Sequence, residues 1–220
     1  DIWSYILINS TYTSDSLDEQ TLMYMNRHLQ DLDKFKEFLN DSYYFMFFVI
    51  EELENAKLPI ELAFLPYVES NYDPFSISSS GAVGMWQFMP RTGKTYDLGR
   101  TWWNEDRHDP FKSTTAAIKY LRYLYERFDQ DLYLTLAAYN AGPSFLDRQI
   151  KRNQRRGLNT DYWSLDLPIQ TRNYVPKFIA IEELIINSDQ YDIELPFIPY
   201  EPVVAKIEIP GQVEILTPVS

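Results

Sequence analysis

The chain has 220 residues, of which 45% are hydrophobic and 16% aromatic, a composition that suits one globular domain with a sizeable core. Its 32 acidic and 20 basic side chains give a net charge of -12, which argues against nucleic acids and anionic membranes as partners, because proteins that bind them concentrate Lys and Arg on one face. Cysteine is absent, so neither a disulfide framework nor a thiolate metal site is expected.

The first part of the chain carries two helical patterns between Ser16 and about Asn55. The first repeats apolar residues at helical spacing, at Leu22, Met25, Leu29 and Leu32, and the second starts at Phe45. They predict a helical lead-in over residues 1–57. The longest apolar run, residues 43–50, is too short to cross a bilayer. The start of the segment does not read as an export signal, so any such signal is expected to lie outside it.

A further helix is predicted between Leu58 and Ser70, with Pro66 interrupting or kinking it and Glu69 at its end. Residues 71–84 are dense in Ser, Pro and Gly, which indicates a loop. Pro90 is well placed to open the next helix, since proline is favoured in the first helical turn.

The strongest helical pattern begins near Ser113 or Thr114, both good cap residues, and continues to Phe128. A shorter helix is predicted over residues 131–141, stopped by Gly142 and Pro143. A final core helix is marked by a repeat of large apolar residues and ends near Asn187: Tyr174, Phe178, Ile181 and Ile185. Residues 58–190 are therefore expected to form one mainly α domain without a parallel sheet.

The last 30 residues differ in character, because Pro196, Pro199, Pro202 and Pro210 punctuate them. We interpret residues 191–220 as a proline-rich tail or linker. Within it, the alternation of apolar and other residues from Val203 to Ile209 predicts a short β segment.

Several kinds of chemistry are unsupported by the residues present. His28 and His108 are the two histidines and fit no zinc motif, so no metal and no cofactor are expected. Neither a Gly-x-Ser-x-Gly nucleophile motif nor a phosphate-binding glycine motif occurs. We expect His108 to be a hydrogen-bonding residue of a loop or helix start. Trp102, Trp103 and Tyr133 are expected to pack rather than to bind sugars.

Three clusters remain, at residues 67–74 (YVESNYDP), 80–90 (SGAVGMWQFMP) and 136–143 (LAAYNAGP). They resemble, in order, the signature segments of lytic murein transglycosylases of the goose-lysozyme-like superfamily. Residues 113–117, 161–165 and 174–177 extend the resemblance, which covers roughly residues 58–186. Several spaced motifs in the same order are far more specific than one short pattern. The resemblance implies a lysozyme-like helical fold with a substrate groove.

Glu69 is the candidate catalytic residue. A glutamate at the end of an apolar helix that faces a loop is in a position where desolvation can raise its pKa and keep it protonated near neutral pH. For an arbitrary glutamate a solvated charge at a helix end is the commoner situation, and it is the resemblance that reverses this preference.

The resemblance implies that Glu69 protonates the glycosidic oxygen between N-acetylmuramic acid and N-acetylglucosamine, then takes the proton of the muramic acid 6-hydroxyl as that hydroxyl attacks the anomeric carbon. The product is a 1,6-anhydro sugar. Gln87 and Asn140 are expected to bind the acetamido groups, and Tyr139 to reach Glu69. The implied substrate-binding residues are Ser70, Ser78, Met85, Gln87, Phe88, Tyr139, Asn140 and Tyr174.

The partner implied is the glycan strand of peptidoglycan, in the bacterial periplasm or cell envelope, with cell-wall-binding modules expected outside this segment. Two alternatives stay open on the sequence. A hydrolytic muramidase on the same fold would use a second carboxylate to activate water. A non-catalytic peptidoglycan-binding domain would keep the groove without the chemistry.

Overall fold

The computed structural model describes residues 1–13 and 17–204. Over those ranges the chain forms ten α-helices: α1 (Ile2–Asn9), α2 (Glu19–Leu29), α3 (Leu32–Asn40), α4 (Met46–Asn55), α5 (Leu65–Ser70), α6 (Pro90–Thr95), α7 (Pro110–Arg127), α8 (Leu132–Ala141), α9 (Pro143–Arg155) and α10 (Ile169–Ile186). Four short 3₁₀ helices add to them, at Ile60–Phe64, Asp106–His108, Tyr162–Ser164 and Ser188–Tyr191. In the same ranges β pairing is limited to isolated bridges, so the predicted mainly α fold is confirmed.

The lead-in contains four helices rather than two. Asp31 ends the first pattern by capping α3, where its side chain accepts a hydrogen bond from the backbone N–H of Lys34. The prediction that Leu32 continues the apolar face of the preceding helix is therefore wrong, and Leu32 is exposed. Helix α1 was not predicted from its sequence. It docks on the segment that follows α10, where the indole N–H of Trp3 donates to the carbonyl of Pro196 at 2.5 Å.

Pro66 starts a helix instead of kinking one. A 3₁₀ helix over Ile60–Phe64 runs directly into α5, and Pro66 lies in the first turn of α5. The missing proline N–H costs nothing there, because the first turn of a helix has no carbonyl to receive it. Asn71 then ends α5 in the left-handed region, at φ 59°.

The central helices begin and end largely as predicted. Helix α7 starts at Pro110, earlier than the predicted Ser113 or Thr114, because Asp109 caps it by accepting from the N–H groups of residues 111 and 112. Gly142, at φ 86°, stops α8 as predicted. Pro143 opens α9, which was not predicted.

Helix α10 is the centre of the molecule, and its predicted end at Asn187 is confirmed. Val175 and Phe178 on α10 are fully buried, and the helix packs against α2, α5 and α8. One contiguous core includes side chains from every one of these α-helices except α6. The packing therefore sets the end of α5, the end of α8 and the first half of α10 beside one another.

Three carboxyl groups are buried on the second half of α10 and the 3₁₀ helix before α5. Glu61, Glu182 and Glu183 are each at most 2% exposed. Tyr12 and Tyr191 donate hydrogen bonds to the two oxygens of Glu183, at 2.8 Å each. Neither oxygen of Glu182 has a hydrogen-bond partner within residues 1–13 and 17–204. Burial and the two neighbouring carboxylates hold the pKa of Glu182 well above its usual value, which favours its protonated form.

Parts of two predictions fall outside the described residues, namely the start of the first helical pattern at Ser16 and most of the β segment from Val203 to Ile209. Within the described ranges, every helix is too short or too polar to pass through a bilayer.

Candidate active site

Glu69 lies in the last turn of α5, next to a sharp reversal of the chain. Asn71 and Tyr72 both adopt left-handed backbone conformations, at φ 59° and 60°. These conformations carry a steric cost for residues other than glycine, and they persist where the surrounding structure enforces them. The hydroxyl of Tyr174 on α10 donates a hydrogen bond to the Oε1 atom of Glu69. The carboxyl is thus held between two helices, in a residue that is partly buried.

The surroundings of Glu69 favour its protonated form. Burial among apolar groups raises the pKa of Glu69 from 4.5 to about 7, although the Tyr174 hydrogen bond and the ammonium of Lys177 both act to lower it. Within the described residues, no carboxylate contributes to this shift. Since the pKa lies near neutral pH, Glu69 can deliver a proton and then accept one without a large energetic cost for either step.

The loop opposite Glu69 is joined to α5 through Ser70. The hydroxyl of Ser70 donates to the carbonyl of Met85 at 2.8 Å. Gly84, at φ 82°, is required in this loop, since a Cβ atom there would lie 1.9 Å from the carbonyl oxygen of Arg107. Gln87 also has a positive φ, 48°, and its amide nitrogen donates to the carbonyl of Gly84 at 2.9 Å.

Arg107 holds the loop that carries Gly84 and Gln87 in place. Its role was not identified from the sequence. It is 5% exposed, and its Nη1 atom donates to the carbonyls of Gly81 and Phe88, at 3.1 and 2.8 Å. Its Nε and Nη2 atoms bind the two carboxylate oxygens of Glu105, at 2.8 Å each. Such a fork-to-fork ion pair defines the orientation of the guanidinium. Arg107 therefore positions the segment that carries Gln87.

Asn140 reaches the same region from α8. Its Oδ1 atom accepts a hydrogen bond from the hydroxyl of Thr171 at 2.9 Å, which leaves the amide nitrogen as its outward donor. Thr171 and Tyr174 are three residues apart on α10, so their side chains lie on one face of the helix. One helix face thus binds both Asn140 and Glu69, which brings the two predicted residues together.

Comparisons with known proteins identify the family of this chain. Residues 46–161, a little over half of the chain, match the family described as the Transglycosylase SLT domain. The chain belongs to this family. It is 35% identical over 221 residues to membrane-bound lytic murein transglycosylase D of Escherichia coli K12, an alignment that covers 97% of this chain and 47% of that protein. The chain therefore spans about half the length of this relative.

Two further relatives are more distant. Membrane-bound lytic murein transglycosylase F of Alcanivorax borkumensis is 33% identical over 108 residues, which cover 46% of this chain and 22% of that protein. The solved structure of the 70 kDa soluble lytic transglycosylase of Escherichia coli superposes with a TM-score of 0.53 at 20% identity, covering 85% of this chain and 32% of that one. This superposition confirms the lysozyme-like helical fold expected for the SLT domain.

The hydrogen bond to Glu69 comes from a different tyrosine than expected. Tyr139 was expected to reach Glu69, but its hydroxyl donates to the carbonyl of Trp86 at 2.8 Å. Tyr174, expected to line the groove, makes the hydrogen bond to Glu69 instead. Burial raises the pKa of each tyrosine, and the charge of Glu69 raises it further, so both tyrosines lie near Glu69. The packing of α10 against α5 determines which of the two hydroxyl groups binds Glu69.

Three other residues that were expected to bind substrate, Met85, Phe88 and Ser78, instead stabilise the loop that contains them. The side chains of Met85 and Phe88 are 0% and 2% exposed and belong to the core, which corrects the expectation that they line the groove. Apolar side chains on a short loop are buried beneath it because that removes them from water. Ser78 accepts from the N–H of Ala82 at 2.9 Å and pairs with Ser80, so it stabilises the turn of the same loop.

Three predictions outside the site have clear outcomes. The Nδ1 atom of His108 pairs with the carbonyl of Pro74 at 2.8 Å, which confirms it as a loop hydrogen-bonding residue. Tyr133 packs partly buried against the core, as expected. The expectation that Trp102 and Trp103 pack is wrong, because their side chains are 88% and 89% exposed.

Replacing Tyr174 with phenylalanine should raise the pKa of Glu69, because the hydrogen bond that is lost favours the charged carboxylate. If cleavage begins with protonated Glu69, the alkaline limb of the pH–rate profile should move to higher pH. The maximal rate should fall about tenfold or more, because the Glu69 carboxyl is no longer oriented by the hydroxyl. Tyr139→Phe is the matched control, since its hydroxyl binds a carbonyl, and the alkaline limb should stay in place. Equal shifts in both variants would contradict the assigned contact.

Proposed function

We propose that this SLT domain cleaves the β-1,4 bond between N-acetylmuramic acid and N-acetylglucosamine of peptidoglycan without water, leaving 1,6-anhydromuramic acid ends. The observation that carries the proposal is the environment of Glu69, a half-buried carboxyl with a pKa of about 7 that Tyr174 orients. It is supported by the names of the relatives, which are lytic murein transglycosylases.

One carboxyl group is enough for this reaction. Protonated Glu69 gives its proton to the glycosidic oxygen as the bond from that oxygen to the anomeric carbon breaks. The resulting carboxylate takes the proton of the 6-hydroxyl of the same muramic acid as its oxygen bonds to the anomeric carbon. The nucleophile is tethered to the reacting sugar, so no second carboxylate has to activate water. Glu69 ends the cycle in the state in which it began.

The remaining site residues bind and orient the substrate in this proposal. Tyr174 stays protonated, since burial holds its pKa well above 10, and it stabilises the carboxylate form of Glu69 between the two proton transfers. Asn140 offers its amide nitrogen to an acetamido carbonyl, and Gln87 offers its amide oxygen. Thr171 and Arg107 are positioning residues, because they act through Asn140 and the Gln87 loop.

We assign the catalytic domain to residues 58–190, with residues 1–57 packed on it as a helical lead-in and residues 191–220 as a tail. The substrate places the protein in the periplasm or cell envelope, in keeping with the membrane-bound relatives. Because the chain spans 47% of transglycosylase D, further cell-wall-binding modules outside this segment form part of the proposal.

The nature of the new sugar end tests the proposal. Purified sacculi are digested in water enriched in ¹⁸O, and the released muropeptides are identified by mass spectrometry. Anhydro ends without ¹⁸O are the expected result, because water does not enter the product. Reducing ends labelled with ¹⁸O would instead make the protein a hydrolytic muramidase. A protein that binds sacculi and releases nothing would be a peptidoglycan-binding domain.

A further inference from the structure

Two tryptophans project from the surface between α6 and α7. The side chains of Trp102 and Trp103 are 88% and 89% exposed, so almost none of their large apolar surface is used by the fold. Their ring centroids lie 6.3 Å apart with the ring planes at 86°, and the pair offers two indole faces to the solvent. Exposed aromatic surface of this size in an ordered segment is typical of a binding surface.

The segment that carries them, residues 100–105, is here called the tryptophan turn. The backbone N–H of Thr101 donates to the carbonyl of Asn104 at 2.7 Å, and the Thr101 hydroxyl accepts from the N–H groups of Trp103 and Asn104. Arg100 and Glu105 close its base by an antiparallel bridge. These bonds hold the backbone of the two tryptophans in one arrangement before any ligand arrives, which lowers the entropic cost of binding.

The base of the tryptophan turn is connected directly to the candidate active site. Glu105 binds Arg107, and Arg107 holds the carbonyls of Gly81 and Phe88 on either side of Gln87. One buried arginine therefore anchors both the tryptophan turn and the loop that faces Glu69. A polymeric substrate bound at Glu69 continues past the residues that bind it, and the tryptophan turn is joined through Arg107 to the loop that carries Gln87.

We infer that Trp102 and Trp103 bind the glycan strand beyond the sugars that surround Glu69, by stacking against the apolar faces of the sugar rings. This inference rests on the proposed function, since it assumes a glycan in the cleft. Stacking needs no charge, which suits an acidic protein and a substrate that carries carboxylates. At the base of the turn Arg100 is paired with Glu105, and Lys112 with Asp106, so these cations do not favour an anionic bilayer as the occupant.

The test measures binding in the Glu69→Gln background, so that no strand is cut during the experiment. The probe is a preparation of peptide-free glycan strands, obtained from sacculi with an amidase. Replacing Trp102 and Trp103 together with alanine should weaken the dissociation constant about tenfold, as expected for aromatic contacts at a binding surface. Replacing both with tyrosine should restore most of the affinity. Ile8→Ala is the matched control, because Ile8 is 81% exposed on α1 and should leave affinity unchanged.

The outcomes separate this inference from the proposed function. Unchanged glycan affinity in the double alanine variant overturns the inference, while anhydro ends released by the wild-type protein still support the proposed function. If the double alanine variant loses binding to phosphatidylglycerol vesicles but keeps its glycan affinity, the tryptophans bind a bilayer. That result also overturns the inference. If the wild-type protein releases no anhydro ends and the Glu69→Gln protein binds no glycan, the proposed function fails and the inference fails with it.

Discussion

Replacing Glu69 with glutamine is expected to lower kcat for sacculus cleavage by about 10³-fold, within the range that general acid–base catalysis supplies. Glutamine keeps the shape of the side chain and can still accept the hydrogen bond from Tyr174, but it can neither give nor take a proton. Binding of the glycan should persist. The rate of release of muropeptides and the affinity for sacculi are the two measurements, and loss of both together would indicate a damaged fold instead.

The same substitution should stabilise the protein at alkaline pH. The folded-state pKa of Glu69, about 7, lies above the value of 4.5 in the unfolded chain, so the unfolded state loses its proton first as the pH rises. The wild-type protein therefore loses stability between pH 4.5 and 7. After a discount for the water that reaches the half-buried carboxyl, the variant should be more stable by about 2 kcal/mol at pH 8. At pH 4 the two should be equal.

The free energy of unfolding in urea at pH 4 and pH 8 checks this expectation. Glu126→Gln is a suitable control, because the Glu126 side chain is 66% exposed and pairs with Arg122 on the surface of α7. Its free energy of unfolding should differ little from that of the wild-type protein at either pH value, and its cleavage rate should equal that of the wild-type protein. A Glu69→Gln protein that is less stable than the wild type at pH 8 would refute the assigned environment of the carboxyl.

Replacing Glu182 with methionine is expected to give the largest gain in stability, about 2–4 kcal/mol at pH 7.5. Glu182 is 1% exposed, and neither of its oxygens has a partner in the described chain. The folded-state pKa of Glu182 is well above 4.5. As the pH rises, the unfolded chain therefore releases the proton of Glu182 before the folded protein does, and this favours unfolding. Wild-type stability therefore falls with pH above 4.5, by up to about 1.4 kcal/mol per pH unit.

Glu182→Gln separates charge from polarity, since it removes the titration but keeps a buried polar group. It should match the wild-type protein at pH 4 and exceed it at pH 7.5, whereas Glu182→Met should gain at both. Glu183→Gln is the control on the adjacent residue: its carboxylate accepts from Tyr12 and Tyr191, so losing one acceptor should destabilise the protein. A destabilised Glu182→Gln protein at pH 7.5 would contradict the proposed protonation.

The sequence predicted the elements that depend on local signals. Gly142 ends α8 and Pro90 opens α6 because each residue has a backbone preference that acts whatever surrounds it. Pro66 was misjudged because the same proline breaks the interior of a helix and starts its first turn, and only the boundary of α5 decides between these. The capping role of Asp109 was available in the sequence, directly before a proline, and was assigned to later residues.

The contacts of the site depended on packing that no local pattern encodes. Glu69 and Asn140 could be named from a family resemblance, but which of Tyr139 and Tyr174 reaches Glu69 follows from the approach of α10 to α5. Thr171 could have been suspected, because it precedes Tyr174 by about one helical turn. Arg107 could not, since the groups through which it holds the Gln87 loop are backbone carbonyls, which every residue carries.

The hydrogen bond between Tyr174 and Glu69 joins residues 105 positions apart in the chain. During synthesis, the ribosome releases α5 long before α10 exists, and domains form their long-range contacts only when the distant segment has been made. A nascent or truncated chain that ends before residue 174 therefore has the catalytic carboxyl without the group that orients it. If the proposed function is correct, activity against the cell wall would in this way appear only when the domain is nearly complete.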